Sequence, residues 1–283
     1  MQRYLKLSAL AVAGVMLGSA ALRAQSGNAR QTSAPPTQNS SKVPDLSGDW
    51  APPILVRLGG LTGGSDAGGA ANLGGGGPAR RGKDDGIPYQ PWALQKMMSE
   101  ISPTGNEASF VAATDPNTKY CEPVGVMRIY AWPAKTRFVQ TPVAVYIFYE
   151  YGMNFRVVRL NSKHPDDPDP QWWGDSIGWY ENGDTLIIDT VGFNDKTWLD
   201  QAARPHTEML HFVERYKRVD ANNLQLDETV DDPGAYTKPW DVHLNFILST
   251  TGFLRDQWVC STRENQQFIE NVGNPADAHS SGK

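Results

Sequence analysis

The stretch of residues 177–191, IGWYENGDTLIIDTV, decides the fold class of this chain. Two runs rich in β-branched and aromatic residues, 177–180 and 185–191, flank the dipeptide Asn182-Gly183. Asn-Gly favours a two-residue hairpin, because such a turn needs a positive φ at both central positions and these two residue types tolerate it. The sequence therefore predicts two antiparallel strands joined by a tight turn.

Strand-like runs continue on both sides of this hairpin, separated by short turns. They lie at 137–141, 143–151, 155–160, 206–219, 224–230, 240–248 and 253–260. One short helix is predicted on the N-terminal side at 91–100, where Pro91 opens a run of good helix formers. The pattern predicts an all-β protein of about eight to ten strands, either a closed antiparallel β-barrel or a two-sheet sandwich. It excludes a doubly wound nucleotide-binding fold, which needs alternating strands and helices.

Composition limits the function classes before any motif is considered. The 283 residues carry a formal net charge of −5 and are 40% hydrophobic, which suffices for a packed core and excludes wholesale disorder. The acidic balance excludes nucleic acid as the main partner, since binding phosphates needs a surplus of Lys and Arg. Two cysteines are too few for a disulfide-dense mini-protein or a four-thiolate zinc site.

The N-terminus has the pattern of a secretory signal peptide. Arg3 and Lys6 precede an apolar run at 7–22, and Ala24 offers a small residue for cleavage. Export predicts a periplasmic or secreted protein with no stable membrane insertion after cleavage. Because residues 1–24 hold three basic residues and no acid, cleavage takes the net charge from −5 to −8. The predicted organisation is a signal peptide at 1–24, a disordered tether at 25–44, a β-barrel domain at 45–270 with a Gly-rich insertion at 59–77, and a disordered tail at 271–283.

The two cysteines, Cys121 and Cys260, lie far apart in the sequence. Export places them in an oxidising compartment, where a lone pair of cysteines favours a disulfide. We expect a bond that ties the middle of the folded body to its end. Two free buried thiols are the alternative.

Several short motifs resemble those of a large family of uncharacterised secreted bacterial proteins. The family patterns PDLSGxW, CxPxGxPR, GFNDxTWLD, PHxE and YTKPW are matched at 45–50, 121–128, 192–200, 205–208 and 236–240. Met127 in place of the family's proline and the long Gly-rich insertion depart from the pattern. The resemblance implies export and a lipocalin-like, calycin-type barrel. It carries over no catalytic residue.

Acidic side chains occupy apolar faces of two predicted strands. On the two-residue period of a strand, His206, Glu208 and Glu214 share one face of the 206–219 run, and Glu228 lies among apolar residues in the 224–230 run. Neighbouring carboxylates in an apolar cavity push their pKa values apart, which suits general acid–base catalysis. These four are the predicted catalytic residues, and catalysis requires that His206, Glu208 and Glu228 converge inside the barrel. The alternative is that the acids pair with arginines and hold the barrel closed.

A divalent metal is an open alternative, and no cofactor is certain. His206, Glu208, His211 and Asp189 supply nitrogen and oxygen ligands, and two histidines with one carboxylate suit zinc or iron. On a regular strand, however, His211 falls on the face opposite His206, so this site requires a β-bulge. The competing interpretation is a solvated or hydrogen-bonded pair of histidines.

The loop at 191–200 joins two predicted strands at the mouth of the barrel, where loops carry function more often than core strands do. Its tryptophan gives a flat apolar surface and its polar side chains give hydrogen bonds, a mixture that suits sugar or phenolic rings. The alternative is a turn held by its own Asn and Asp side chains. The residues predicted to bind substrate are Asn194, Asp195, Trp198, Asp200, Arg128, Arg156 and Tyr236.

These features favour an exported β-barrel enzyme, a hydrolase or lyase, that acts on a small sugar-like or phenolic molecule by carboxylate and histidine chemistry. The first alternative is a non-catalytic periplasmic small-molecule binding protein of lipocalin type. The second is an interaction module of the cell envelope. Serine-nucleophile catalysis is not favoured, because the GDSIG segment around Ser176 continues into a strand instead of the strand–turn–helix that such a nucleophile needs.

Overall fold

The computed structural model describes residues 43–52, 85–100, 114–132, 134–200, 202–252 and 260–270. The predicted signal peptide, the tether up to residue 42, the Gly-rich insertion, the tail at 271–283 and the run at 253–259 lie outside the described residues. Within the described ranges, no helix is both long and apolar enough to cross a membrane.

The described part of the chain forms a closed β-barrel of nine strands. Each strand pairs with the next one in sequence, and the last returns to pair with the first, which confirms the all-β barrel. The strands are β1 Gly48–Ala51, β2 Thr136–Gln140, β3 Ala144–Tyr149, β4 Phe155–Leu160, β5 Asp175–Glu181, β6 Thr185–Val191, β7 His211–Arg218, β8 Asn223–Asp231 and β9 Trp240–Leu248.

The Asn182-Gly183 hairpin forms as predicted between β5 and β6. Both residues have positive φ, 52° and 73°, the conformation for which Asn-Gly is the preferred dipeptide. Glu181 pairs with Thr185, so the loop at 182–184 has three residues, one more than a two-residue hairpin.

One junction of the barrel differs from the predicted antiparallel pairing. β4 and β5 run parallel, joined only at Arg159 opposite Ile177 and Leu160 opposite Gly178. The other eight junctions are antiparallel. A parallel neighbour cannot follow a tight turn, so the chain between β4 and β5 crosses over before it rejoins the sheet.

Three helices lie among the described residues: α1 Pro91–Glu100, α2 Pro116–Tyr120 and α3 Thr262–Phe268. α1 has the predicted bounds. Its buried residues are Ala93 and Met97, whereas Met98 is exposed. α2 and α3 were not expected from the sequence; they begin after the capping side chains of Asp115 and Ser261.

An aromatic–cation contact lies between β1 and the end of β7. Trp50 on β1 is fully buried and its indole N–H donates to the carbonyl oxygen of Leu46 at 2.9 Å. The Arg218 guanidinium lies 5.1 Å from the Trp50 ring centroid and donates to the carbonyl oxygens of Asp45 and Ala221. The cation therefore covers the ring and links the chain before β1 to the β7–β8 turn.

The disulfide between Cys121 and Cys260 is present, as predicted. It joins the residue that ends α2 to the residue just before the cap of α3. After Cys121 the chain forms a 3₁₀ turn at Arg128–Ala131, and Tyr130 of this turn enters the barrel interior. There its ring contacts Tyr149 at 5.9 Å and Phe246 at 5.2 Å.

Candidate functional site

Two glutamates lie side by side inside the barrel. Alternate residues of a strand face the same side, and in β8 that side buries Leu224, Leu226, Glu228 and Val230. Glu214 of β7 is the register partner of Glu228, and both side chains are 0% exposed. Directly opposed residues on antiparallel strands have Cβ atoms about 4.5–5.5 Å apart, so the two carboxyl groups are close neighbours.

Arg156 of β4 is the cation of this cluster. Its Nη1 lies 2.5 Å from Oε2 of Glu214, an ion pair whose two atoms are not aligned as a linear hydrogen bond. Its Nε donates to Ser176 Oγ at 2.9 Å and its Nη2 to Thr190 Oγ1 at 2.5 Å. Burial alone would lower the pKa of Arg156, but Glu214 outweighs it and the pKa is raised. The guanidinium therefore stays charged and connects β4 to β5, β6 and β7.

Three tyrosine hydroxyls complete the cluster. Tyr216 donates to Glu214 Oε1 at 2.8 Å, Tyr130 lies 2.5 Å from Tyr216, and Tyr149 lies 3.4 Å from Tyr130. Burial raises the pKa of Tyr149 to about 12, and it raises those of Tyr130 and Tyr216 further. All three hydroxyls therefore remain neutral donors at physiological pH.

Glu228 differs from its neighbours because neither of its carboxyl oxygens has a hydrogen-bond partner among the described residues. Burial raises its pKa well above the usual 4.5, the adjacent Glu214 raises it further, and Arg156 offsets only part of this. Both effects favour the protonated form of this carboxyl. The structure thus places a buried carboxyl, biased toward its neutral form and without a hydrogen-bond partner in the described residues, beside an ion pair.

Next to this cluster the barrel is tightly filled. The space bounded by Trp50, Tyr130, Phe138, Tyr216 and Phe246 has no room for a water-sized sphere. Glu228 itself is fully buried, so a molecule that reaches it must be admitted by movement of the surrounding side chains or strands.

His206 and Glu208 do not join this cluster, so the predicted convergence of His206, Glu208 and Glu228 is wrong, and the four-residue catalytic set that required it is wrong with it. Glu214 pairs with an arginine, as the alternative interpretation expected, and an acid–base role is left only to Glu214 and Glu228. β7 begins at His211, and the preceding residues form a loop because Asp232 accepts hydrogen bonds from the Thr207 amide and hydroxyl, each at 2.6 Å. Glu208 is exposed in a turn of that loop.

His206 is buried in the same loop, away from the two glutamates. Its Nε2 lies 2.8 Å from Thr197 Oγ1, and its ring makes an edge contact with Phe193. Burial lowers the pKa of His206, which favours the neutral ring. These contacts give His206 a structural role, because they hold the loop in place.

The four predicted metal ligands are not brought together. His211 Nε2 lies 3.0 Å from Asp189, and His164, which was not predicted, lies 3.1 Å from the same carboxylate. His206 and Glu208 lie elsewhere, as described above. No group of three or more His, Cys, Asp or Glu side chains in the described ranges is arranged to hold a metal ion.

The predicted binding loop is held by its own polar groups. Asn194 Oδ1 accepts from the Lys196 amide at 3.1 Å, and Asp200 accepts from the Ala202 amide at 2.8 Å and pairs with Arg204. These are the Asx-type contacts of the alternative interpretation.

Most of the other predicted binding residues are also buried by structural contacts. Arg128 makes a two-pronged ion pair with Asp115 at 2.7 and 3.0 Å, and its guanidinium lies 5.1 Å from the Trp198 ring centroid. The Tyr236 hydroxyl donates to the carbonyl oxygen of Pro205 at 2.7 Å. Of the seven predicted binding residues, only Asp195 is exposed. It borders a cleft of about 200 Å³ together with Lys96, Glu100, Tyr120, Glu122 and Lys196.

Five polar residues of the interior cluster were not predicted as site residues. Ser176 and Thr190 fall at inward positions of β5 and β6, so the strand period contained a signal for them. Tyr149 and Tyr216 are aromatic residues at inward strand positions, and the sequence pattern there indicates ordinary core residues. Tyr130 comes from a turn, where no periodicity marks the direction of a side chain.

Comparison with protein-family models, with curated proteins and with solved structures gives no match to this chain. The motif resemblance therefore stays an expectation, and the function has to be argued from the site.

Proposed function

We propose that the barrel interior binds a small uncharged organic molecule, sugar-like or phenolic, and that the protein is an exported acid–base enzyme of the hydrolase or lyase class. The observation that carries this proposal is the Glu228 carboxyl, fully buried with no hydrogen-bond partner in the described residues. Buried polar groups nearly always have partners, and exceptions cluster at functional sites.

The roles of the two glutamates follow from their surroundings. Glu228, whose pKa is raised, donates its proton to the oxygen of the leaving group. Glu214, held by Arg156 and Tyr216, accepts a proton from water in a hydrolase or from a carbon in a lyase. One proton leaves Glu228 and one arrives at Glu214, so the pair returns to its starting state by passing a proton between neighbours.

The chemical class of the ligand follows from the donors and acceptors present. Arg156 already directs its groups at Glu214, Ser176 and Thr190, so the cluster has little attraction for an anion. Tyrosine rings and hydroxyls next to a protonated carboxyl suit hydroxyl-bearing rings, which combine an apolar face with hydrogen-bonding edges.

The Cys121–Cys260 disulfide supports the exported location. Disulfides persist in the periplasm and outside the cell and are rare in reducing compartments. A periplasmic or secreted protein therefore remains our proposal for where this chemistry takes place.

A binding protein without turnover is the second candidate. It is favoured by the hydrogen bonds that Tyr130 and Tyr216 already make with each other and with Glu214. Hydroxyl and carboxylate groups that already bond to one another can hold a ligand in one orientation. They are less free to rearrange during a reaction.

The test is a screen of 4-nitrophenyl glycosides and phenolic esters against the wild type, Glu228→Gln and Glu208→Gln. Glu228→Gln keeps the shape of the neutral carboxyl and removes its acidic proton, while Glu208→Gln makes the same change on the surface. We expect hydrolysis by the wild type and Glu208→Gln and its loss, by about 10²-fold or more, in Glu228→Gln. Equal rates in all three contradict the assignment, saturable binding with no turnover selects the second candidate, and neither binding nor turnover contradicts both.

A further inference from the structure

The junction between β4 and β5 is one of the two weakest backbone connections of the barrel: like the β1–β9 junction it has only two register pairs, and it is the one that lies beside Arg156. Only Arg159 and Leu160 of β4 pair with β5, extended by one hydrogen bond from the Asn161 amide to Gly178. Residues 155–158 of β4 therefore have no backbone pairing with β5. By comparison, eight residue pairs join β7 to β8 and eight join β8 to β9.

On the inner side of this junction the two strands are joined by side chains. Arg156 of β4 donates to Ser176 of β5 and to Thr190 of β6. The same guanidinium forms the ion pair with Glu214. Separation of β4 from β5 would therefore open the barrel directly beside the two glutamates.

On the outer side a chain of charged groups crosses the same junction. Asp175 of β5 accepts hydrogen bonds from both terminal nitrogens of Arg159, at 2.7 and 2.9 Å, and its Oδ1 lies 2.7 Å from His164 Nδ1. The other ring nitrogen of His164 faces Asp189 of β6, which His211 of β7 also contacts. We call these five side chains the latch.

The geometry points to the β4–β5 junction as the route by which a small molecule reaches Glu228, with the latch controlling its opening. This inference rests on the proposed function for its ligand. The opening itself is a property of the protein alone, and it is measurable without any ligand.

The test is native-state hydrogen exchange on the full chain, with Asp175→Asn as the variant. The control is Asp227→Asn, which breaks a similar pair 2.6 Å from His243 on the strands remote from the junction. After correction for intrinsic rates, we expect amides of 155–158 and 173–176 to exchange about fivefold faster in Asp175→Asn at pH 6, with β7–β8 amides unchanged. His211→Gln is the second variant, and it should reproduce the effect more weakly.

Carbodiimide labelling with glycinamide then reports whether the open junction leads to Glu228. We expect labelling of Glu228, read by mass spectrometry, to rise about fivefold in Asp175→Asn at the same pH and to stay at the wild-type level in Asp227→Asn. Unchanged exchange at β4 and β5 in both latch variants, or faster exchange without faster labelling, overturns the inference. Either result leaves the substrate screen intact, because neither measurement uses a ligand.

Discussion

Arg156 on β4 and Glu214 on β7 form an ion pair between strands that are not neighbours in the barrel, with Nη1 2.5 Å from Oε2 and both side chains buried. The Arg156 guanidinium also bonds to two other strands, to β5 through Ser176 and to β6 through Thr190. Removing two charges from water is costly, so such a pair is weak evidence for stability and better evidence for a site that needs both groups.

Glu214→Gln should destabilise the fold strongly. The change leaves the Arg156 guanidinium buried without a counter-charge, and the expected loss is about 3–5 kcal/mol of unfolding free energy. Urea unfolding of the purified variant measures it. A loss below about 1 kcal/mol would mean that water reaches Arg156, contrary to the burial described here.

Glu228→Gln should leave the protein at least as stable as the wild type, and the difference should depend on pH. Because burial raises the pKa of Glu228 in the folded state, the unfolded chain releases its proton first and wild-type stability falls as the pH rises above the usual 4.5. Gln cannot ionise, so the unfolding free energy of the variant does not decrease for this reason as the pH rises. Thermal unfolding of both proteins from pH 4 to pH 8 should show curves that converge at acid pH and separate toward pH 8. Parallel curves would contradict a raised pKa.

Reduction of the disulfide should weaken the fold. Cys121 and Cys260 are 139 residues apart, and a cross-link that closes so long a loop contributes about 3–5 kcal/mol in the chain-entropy model. Urea unfolding with and without reductant gives the difference. The control is the Cys121→Ala, Cys260→Ala double variant, which should not respond to reductant. Identical urea midpoints for the oxidised and reduced wild type would show that the disulfide does not stabilise the fold.

The parts of the fold that depend on local signals were predictable from the sequence. The Asn182-Gly183 turn, the bounds of Thr185–Val191 and Trp240–Leu248, and helix α1 follow from turn chemistry, alternation and capping. The parallel β4–β5 junction was not predictable, because strand order across a crossover is set by the sheet as a whole.

The site was predicted in part, for the same physical reason. Glu214 and Glu228 fall on regular strands, where period-2 alternation gives the facing direction correctly. Glu208 was misplaced because Asp232, distant in sequence, binds Thr207 and ends the strand pattern before His211. Long-range hydrogen bonds of this kind leave no trace in local periodicity.

The claim on which the function depends is that Glu228 keeps its proton inside the folded barrel at neutral pH. Carbon-13 NMR of the glutamate side-chain carboxyl groups, titrated from pH 4 to pH 8, tests it directly, with the Glu228 resonance assigned by its absence in Glu228→Gln. We predict that this resonance stays at the position of a protonated carboxyl through pH 7. A Glu228 resonance that titrates near 4.5 would contradict the account, because an ionised carboxylate at that position has no proton to donate.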